Sequence, residues 1–453
     1  MKKIFLSVFI AVFAFSMISC KKSLEEMNVD PNNIPDDQAI TPSALLGSSE
    51  GALAYSIGGD AARYTSVFMQ YLEGTDRQFA SIGENYSFNE TDTDNFWRFN
   101  LYGGPLNDLY TLNKKSEASG NTNYAGVSKL LLAYSLMTAS DLFGDIPYAE
   151  SFQGNANLNP KYQPQAVVYD TIGNLIKRAR VQLADAASFS APGTEDRIYG
   201  GDLARWAMFA DVLEARMHLH YAKKNGGTAG YSAALALVTG GKGFASNDDG
   251  ASFPFANSIP ASSPWYQFAN DRAGYISYGG YMATWLDSLA DPRADVYGQI
   301  QDGGGLVSTG NIYGGVDALL PLITYAEQKF IEAECEFRIN GANQAAHDAY
   351  LAGINASLGY CGVTGDAAFF AQPMVDPGMA NLTLEQIMFQ KYVAMFSQPE
   401  AWTDYRRTGF PALTPKVGAS IPRRFPYAES ERLYNTSTPT GLSIYDRVNW
   451  DIQ

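Results

Sequence analysis

Two stretches decide how this chain of 453 residues folds: Asp141-Leu142-Phe143-Gly144-Asp145-Ile146-Pro147-Tyr148, and Glu400-Ala401-Trp402-Thr403-Asp404-Tyr405-Arg406-Arg407-Thr408-Gly409. Trp402 is a large apolar anchor set among Glu400, Asp404, Arg406 and Arg407. Arginine forks pair bidentately with carboxylates, so this set predicts a charged joint that docks the C-terminal chain on the helices. That role is structural and does not mark a ligand site. A third stretch continues the second: Ile421-Pro422-Arg423-Arg424-Phe425-Pro426-Tyr427, with Glu429 and Asn435 beyond it.

Outward from these stretches the apolar spacing is helical. Thr41-Pro42 reads as an N-cap followed by proline at the first helical position. It opens a segment carrying Leu45, Leu53, Ile57, Ala61, Tyr64, Phe68 and Tyr71. Val127 to Met137 marks a second helix, ended near Gly144. Val168 to Leu183 marks a third, and Trp206 to Tyr221 a fourth, stopped by Asn225-Gly226-Gly227. Ile323 to Phe337, Ala345 to Leu358 and Leu384 to Phe396 complete the set. The fold class is mainly α. Long stretches between the helices (Gly74–Asn95, Gly226–Gly280 and Asp302–Pro321) are rich in Gly, Ser, Asn and aromatics. Connections this long are functional or carry structure of their own.

The N-terminus has a different chemistry. Met1-Lys2-Lys3 precedes an apolar run from Ile4 to Met17, closed by Ile18-Ser19-Cys20. A charged start, a short apolar run and a small residue before the cut describe a secretory signal peptide. The run is too short for a membrane span, which needs about 20 apolar residues. Apolar–Ser–Cys resembles the bacterial lipobox, which would make Cys20 the acylated first residue of the mature chain. Stable anchoring takes more than one acyl chain, and a triacylated N-terminus supplies that. The polar stretch after it has too little apolar surface to fold alone. Residues 1–19 are thus expected as signal peptide, 20–40 as lipidated N-terminus and tether, and 41–453 as one ligand-binding domain.

Loss of Lys2 and Lys3 with the signal takes the formal net charge from −15 to −17. That acidity argues against nucleic acid and anionic lipid surfaces, both of which reward Lys/Arg clusters. Beyond Cys20 only Cys335 and Cys361 remain. The compartments outside the inner membrane permit a disulfide, but Cys335 lies in a helical pattern, which favours two buried thiols. The sequence leaves the pairing open.

Catalytic and cofactor motifs are scarce. Gly47-Ser48-Ser49-Glu50-Gly51 matches G-x-S-x-G, but a nucleophile elbow needs a strand before the serine, and the preceding residues read as helix. His218 and His220 point to different faces of their helix, and with His347 they exhaust the histidines. A histidine-rich metal site is not expected. No P-loop or dinucleotide fingerprint is present, so no cofactor is expected. Paired carboxylates for glycoside hydrolysis are set in space. Asp92, Asp94, Asp248 and Asp249 lie in loops where such a pair could sit, although Asp is an ordinary loop residue.

D-L-F-G-D-I-P-Y, then E-x-W-x-D-x-R-R-x-G, then I-P-x-R-x-x-Y, together with the lipobox, resemble the SusD/RagB outer-membrane lipoproteins. The resemblance covers the mature chain. It implies tetratricopeptide-repeat-like helix pairs that scaffold a loop-rich part. It also implies a lipid-anchored, non-catalytic protein on the outer membrane, facing the cell exterior. Its partner would be a SusC-like TonB-dependent transporter, to which it delivers captured glycans or, in the RagB branch, peptides. A surface glycosidase using the loop carboxylates is the remaining alternative. No residue pattern for the ligand site carries over, so candidates rest on chemistry. Aromatic content is high at 13% of residues, and aromatic faces stack on apolar ligand surfaces. Rings beside Asp or Arg in the long loops single out Asp76, Arg77, Tyr86 and Trp97 in or just beyond the first. Trp265, Tyr266, Arg272, Tyr275 and Tyr278 are their counterparts in the second.

Overall fold

The computed structural model describes residues 40–298, 301–302, 305–306 and 313–452. The expected signal segment 1–19, Cys20 and the expected tether up to residue 39 lie outside the described residues. The frame is a succession of helices, each packed on the next: α1 (Pro42–Ser56), α2 (Asn107–Ala118), α3 (Thr122–Phe143), α4 (Gln165–Leu183), α5 (Leu203–Tyr221), α6 (Thr228–Leu235), α7 (Tyr325–Asn340), α8 (Gln344–Tyr360), α9 (Leu384–Ala394) and α10 (Glu400–Thr408). Pairs such as α3 with α4 and α7 with α8 form tetratricopeptide-repeat-like hairpins. In such arrays each unit buries its apolar face against its neighbours. α7 and α8 approach closely because Gly353 leaves room for the Phe330 ring; a Cβ at Gly353 would lie 2.9 Å from it.

The helix ends follow local chemistry. Thr41 caps α1 through its hydroxyl, and Pro42 occupies the first turn. The single segment expected from Leu45 to Tyr71 is interrupted. A wider turn at Ile57–Ala61 separates α1 from a helix at Ala62–Phe68. A side chain at Gly58 would come within 2.3 Å of Leu320, so the strand carrying Leu320 presses on the helix where only glycine fits. Ile323, expected at the start of a helix, ends that strand instead. The hydroxyl of Thr324 accepts from the Glu327 amide at 3.1 Å and starts α7 one residue later.

Two short antiparallel ladders sit on the loop-rich side. β1 (Leu72–Gly74) pairs with β3 (Ile276–Tyr278), Leu72 opposite Tyr278 and Gly74 opposite Ile276. β2 (Ala251–Pro254) pairs with β4 (Leu319–Ile323). The long loops thus carry structure of their own, including helices at Arg77–Asn85, Glu90–Asn95, Pro264–Asp271 and Tyr281–Ser288. Cys335 and Cys361 are buried and unpaired.

The two deciding stretches meet. Gly144 ends α3 with φ 88°, a conformation open to glycine. The Asp145 carboxylate accepts the first amide of α4, from Gln165, at 2.8 Å. Phe143 packs at 5.6 Å edge-on to Phe425 and 4.8 Å edge-on to Trp97. The C-terminal chain threads over this end: the Phe425 amide donates to Leu142 O at 2.7 Å and the Tyr427 hydroxyl to Asp145 O at 2.7 Å. Arg406 donates to Asp141 O at 2.6 Å and Arg423 O at 2.9 Å. Its guanidinium lies 3.7 Å from the Trp402 ring centre and 4.8 Å from that of Trp450. Arg407 forks onto Glu334 of α7 at 2.6 and 2.7 Å, and onto Asp404 at 2.6 Å, while Lys391 of α9 meets Asp404 at 2.7 Å. Burial of these charges is near complete, so each depends on its partner.

Asp141, His220 and Glu400 form the other half of the joint. His220 Nε2 lies 2.7 Å from Glu400; Nδ1 lies 2.8 Å from the Tyr169 hydroxyl and 3.3 Å from Asp141. Trp450 donates to Asp141 at 2.8 Å. Burial opposes a charge on the imidazole, but Glu400 and Asp141 outweigh it and push His220 up to about 9. Burial likewise opposes the Glu400 charge, and His220 and Arg216 overcome it, holding the carboxyl down at about 2. The stability from His220 is therefore complete below its ordinary 6.5 and is lost as pH rises through about 9. That from Glu400 is complete above 4.5 and is lost as pH falls toward about 2.

Two outcomes are expected. Arg407→Met, which removes the fork from buried Glu334 and leaves Asp404 to Lys391 alone, should cost about 3–5 kcal/mol in urea unfolding. The double change with Glu334→Leu should recover part of that, and a single variant within about 0.5 kcal/mol of wild type would contradict the joint. For His220→Asn, the melting-temperature deficit should be widest between pH 4.5 and 6.5 and shrink as pH rises through about 9. A deficit that stays constant over that range would show that His220 is not charged in the fold.

Candidate functional site: an aromatic cleft beside a polar one

The helix Tyr281–Ser288 carries an aromatic pair one turn apart, Tyr281 and Trp285, on the same face. Its other face is anchored by Met282 and Leu286, both fully buried. The entry is fixed by Gly280, at φ 85°, and by the Met282 amide donating to Gln70 O at 3.4 Å. Behind it, buried Arg293 reaches Ser357 of α8 at 3.0 Å and Gln390 of α9 at 2.8 Å, tying the segment to the helical frame. Phe389 of α9 stands edge-on to Trp285 at 5.6 Å.

These rings form one wall of a cleft of about 540 Å³, within the size range of small-ligand sites. Pro373, Met374, Pro377 and Pro411 complete its apolar surface, and Asn381, Thr383, Glu385 and Gln386 line its edge. The polar groups are held in place. Gln386 accepts from the Thr383 amide at 3.0 Å and donates to Pro373 O at 3.1 Å; Asn381 donates to Pro377 O at 3.1 Å. Half-open aromatic faces with fixed amides at the edge suit a ligand having both C–H faces and hydroxyls.

A second cleft of about 500 Å³ is lined by Gly280 and Lys416, whose chain neighbours Tyr281 and Pro411 line the first. Gln70, Glu73, Thr75, Glu84 and Lys416 line it. β1 lines it and is held by its ladder to β3, and Gln70 donates to Thr414 O at 2.7 Å.

The residues singled out from sequence divide between surface and interior. Asp76 and Arg77 are exposed and are brought to Tyr275 by the ladder: the Thr75 and Asp76 amides donate to Tyr275 O at 2.9 and 3.3 Å. Tyr278 ends β3 beside the polar cleft, and Arg272 lies exposed over the Phe268 ring. Tyr266 is half-buried on the helix Pro264–Asp271. Three rings turn inward. Trp97 and Trp265 are 1% and 4% exposed, and Trp265 donates to Ser397 at 2.8 Å. Tyr86 is 3% exposed, its hydroxyl accepting from the Lys416 amide at 3.0 Å. They shape the core and open no face to a ligand. Tyr281, Trp285 and Phe389 escaped the sequence reading, which stopped at the end of the second loop. The Tyr281/Trp285 spacing of four directly after Gly279-Gly280 was the available signal.

Three of the four loop carboxylates are occupied with backbone, and Asp248 is exposed. Asp92 accepts from the Asn89 amide at 2.9 Å, Asp94 from Ser430 at 2.8 Å, and Asp249 from Ala245 at 2.8 Å. Among the described residues, Asp141, His220 and Glu400 are the group with metal-ligating side chains gathered closely. The two carboxylates address opposite nitrogens of the ring, an arrangement that suits an ion pair within the joint. Among the described residues no helix is long and apolar enough to cross a membrane.

No curated protein matches the chain. Solved structures do. A SusD/RagB family protein of Bacteroides thetaiotaomicron is 23% identical with a TM-score of 0.71, covering 88% of this chain and 95% of its own. A chitin-binding SusD homologue of Flavobacterium johnsoniae is 21% identical with a TM-score of 0.74, covering 90% and 98%. A SusD homologue of Bacteroides uniformis is 19% identical with a TM-score of 0.72, covering 90% and 99%. These likenesses establish a shared fold. The family model described as starch-binding and associating with the outer membrane matches residues 31–428, and the chain belongs to that SusD-like family.

Proposed function

We propose that this protein captures glycans at the cell surface and that the cleft between Tyr281, Trp285 and Phe389 is the seat of the ligand. The observation that carries the reading is the pair of half-exposed rings with Asn381, Thr383 and Gln386 fixed at their edge. A sugar ring stacks its C–H face on such an aromatic surface, and its hydroxyls bond the amides and hydroxyls around it. The protein acts by binding alone. Cys20 carries the acyl anchor in the outer membrane, and a SusC-like TonB-dependent transporter receives the ligand. The family description and the chitin-binding homologue support a glycan over a peptide.

Isothermal titration against starch and chitin oligosaccharides tests the site. Wild type should bind at least one, and Trp285→Ala should weaken that binding by about tenfold or more, the loss of one stacking contact of about 1–3 kcal/mol. The melting temperature should stay near wild type, because Trp285 is partly exposed. Heat from peptides and none from any glycan would overturn the glycan reading. Unchanged affinity in Trp285→Ala would overturn the site.

A further inference from the structure

The polar cleft differs in chemistry from the aromatic one. Glu73 and Glu84 present carboxylates to it, and the nearest cation, Lys416 Nζ, stands 4.0 Å from Glu73. Gln70 is 7% exposed and lines the same cleft; its Nε2 donates to Thr414 O, and among the described residues no donor meets its amide oxygen. The cleft is thus rich in acceptors and carries an excess of negative charge. An ammonium group brings three donors and a positive charge. A neutral acetamide in its place brings one donor and an acceptor.

We propose that this cleft binds the ammonium group of an amino-sugar residue within an oligosaccharide whose neighbouring ring stacks on Tyr281 and Trp285. The inference rests on the aromatic cleft being the glycan seat. Gly280 and Tyr281 are consecutive, one facing each cleft, and residues 411–416 flank both. A linear chain can therefore place successive residues in the two clefts. The site is formed before binding: β1 is laddered to β3, and the 411–416 wall is fixed through Gln70 and Tyr86.

The test compares a glucosamine tetramer with its fully N-acetylated counterpart by titration at mildly acidic pH and low salt. Wild type should prefer the glucosamine tetramer by about tenfold, and added salt should erode the preference. Glu73→Gln/Glu84→Gln should abolish the preference while keeping affinity for the acetylated tetramer; both side chains are exposed, so folding should be unaffected. Lys416→Gln should enlarge it. Binding of both tetramers through Trp285 with no preference, or a preference untouched by the Glu variants, would overturn this inference alone. Binding of neither tetramer, with wild type still binding another glycan, would also overturn it. Failure to bind any glycan would overturn the glycan reading with it.

Discussion

The fold depends on one joint: the C-terminal chain clamped over the end of α3 by buried arginines. Arg406 bonds the Asp141 and Arg423 carbonyls while stacked between Trp402 and Trp450, and Arg407 forks onto Glu334 of α7. Hydrogen-bonded charges this deep are tolerated only as complete sets. The joint therefore fixes α3, α7, α9 and α10 against one another. The Asp141–His220–Glu400 ion pair adds α5 to the same set.

The candidate site inherits its geometry from that joint. Between α10 and the segment 421–427, the chain from 409 to 420 gives Pro411 to one cleft and Lys416 to the other, and the joint pins both its ends. Phe389 belongs to α9, and Lys391, two residues further along that helix, is locked to Asp404 of α10. On the same wall, Tyr281 rests against Tyr392, which stacks at 4.2 Å on Tyr71. A rigid helical frame thus presents an aromatic surface through short, loop-borne elements. This is the division of labour expected where binding residues vary and the scaffold does not.

Much of the frame was legible in the sequence. Thr41-Pro42, the apolar spacing of α3, α4, α5, α8 and α9, and the charged set around Trp402 all signal through local chemistry, and each stands where the spacing placed it. The failures have tertiary causes. The break falls at Gly59, beside Gly58, on which Leu320 packs from more than 250 residues away, and nothing near Ile323 announces its partner strand at Ala251. The site was harder still. A tryptophan beside charged loop residues looks the same whether it is packed, as Trp97 is against Phe143, or half-open, as Trp285 is. Only the neighbours brought in from elsewhere decide, so three of the chosen rings fell in the core and the open pair lay just past the boundary of the loop considered.

The central claim is capture on behalf of a transporter at the outer membrane. It is tested most directly by purifying the full-length protein from detergent-solubilised outer membranes, with Cys20→Ala as the control. The account predicts that a large TonB-dependent transporter is recovered with the wild-type protein and that Cys20→Ala is lost from the membrane fraction. A wild-type protein that stays folded and membrane-bound yet is recovered alone would contradict it.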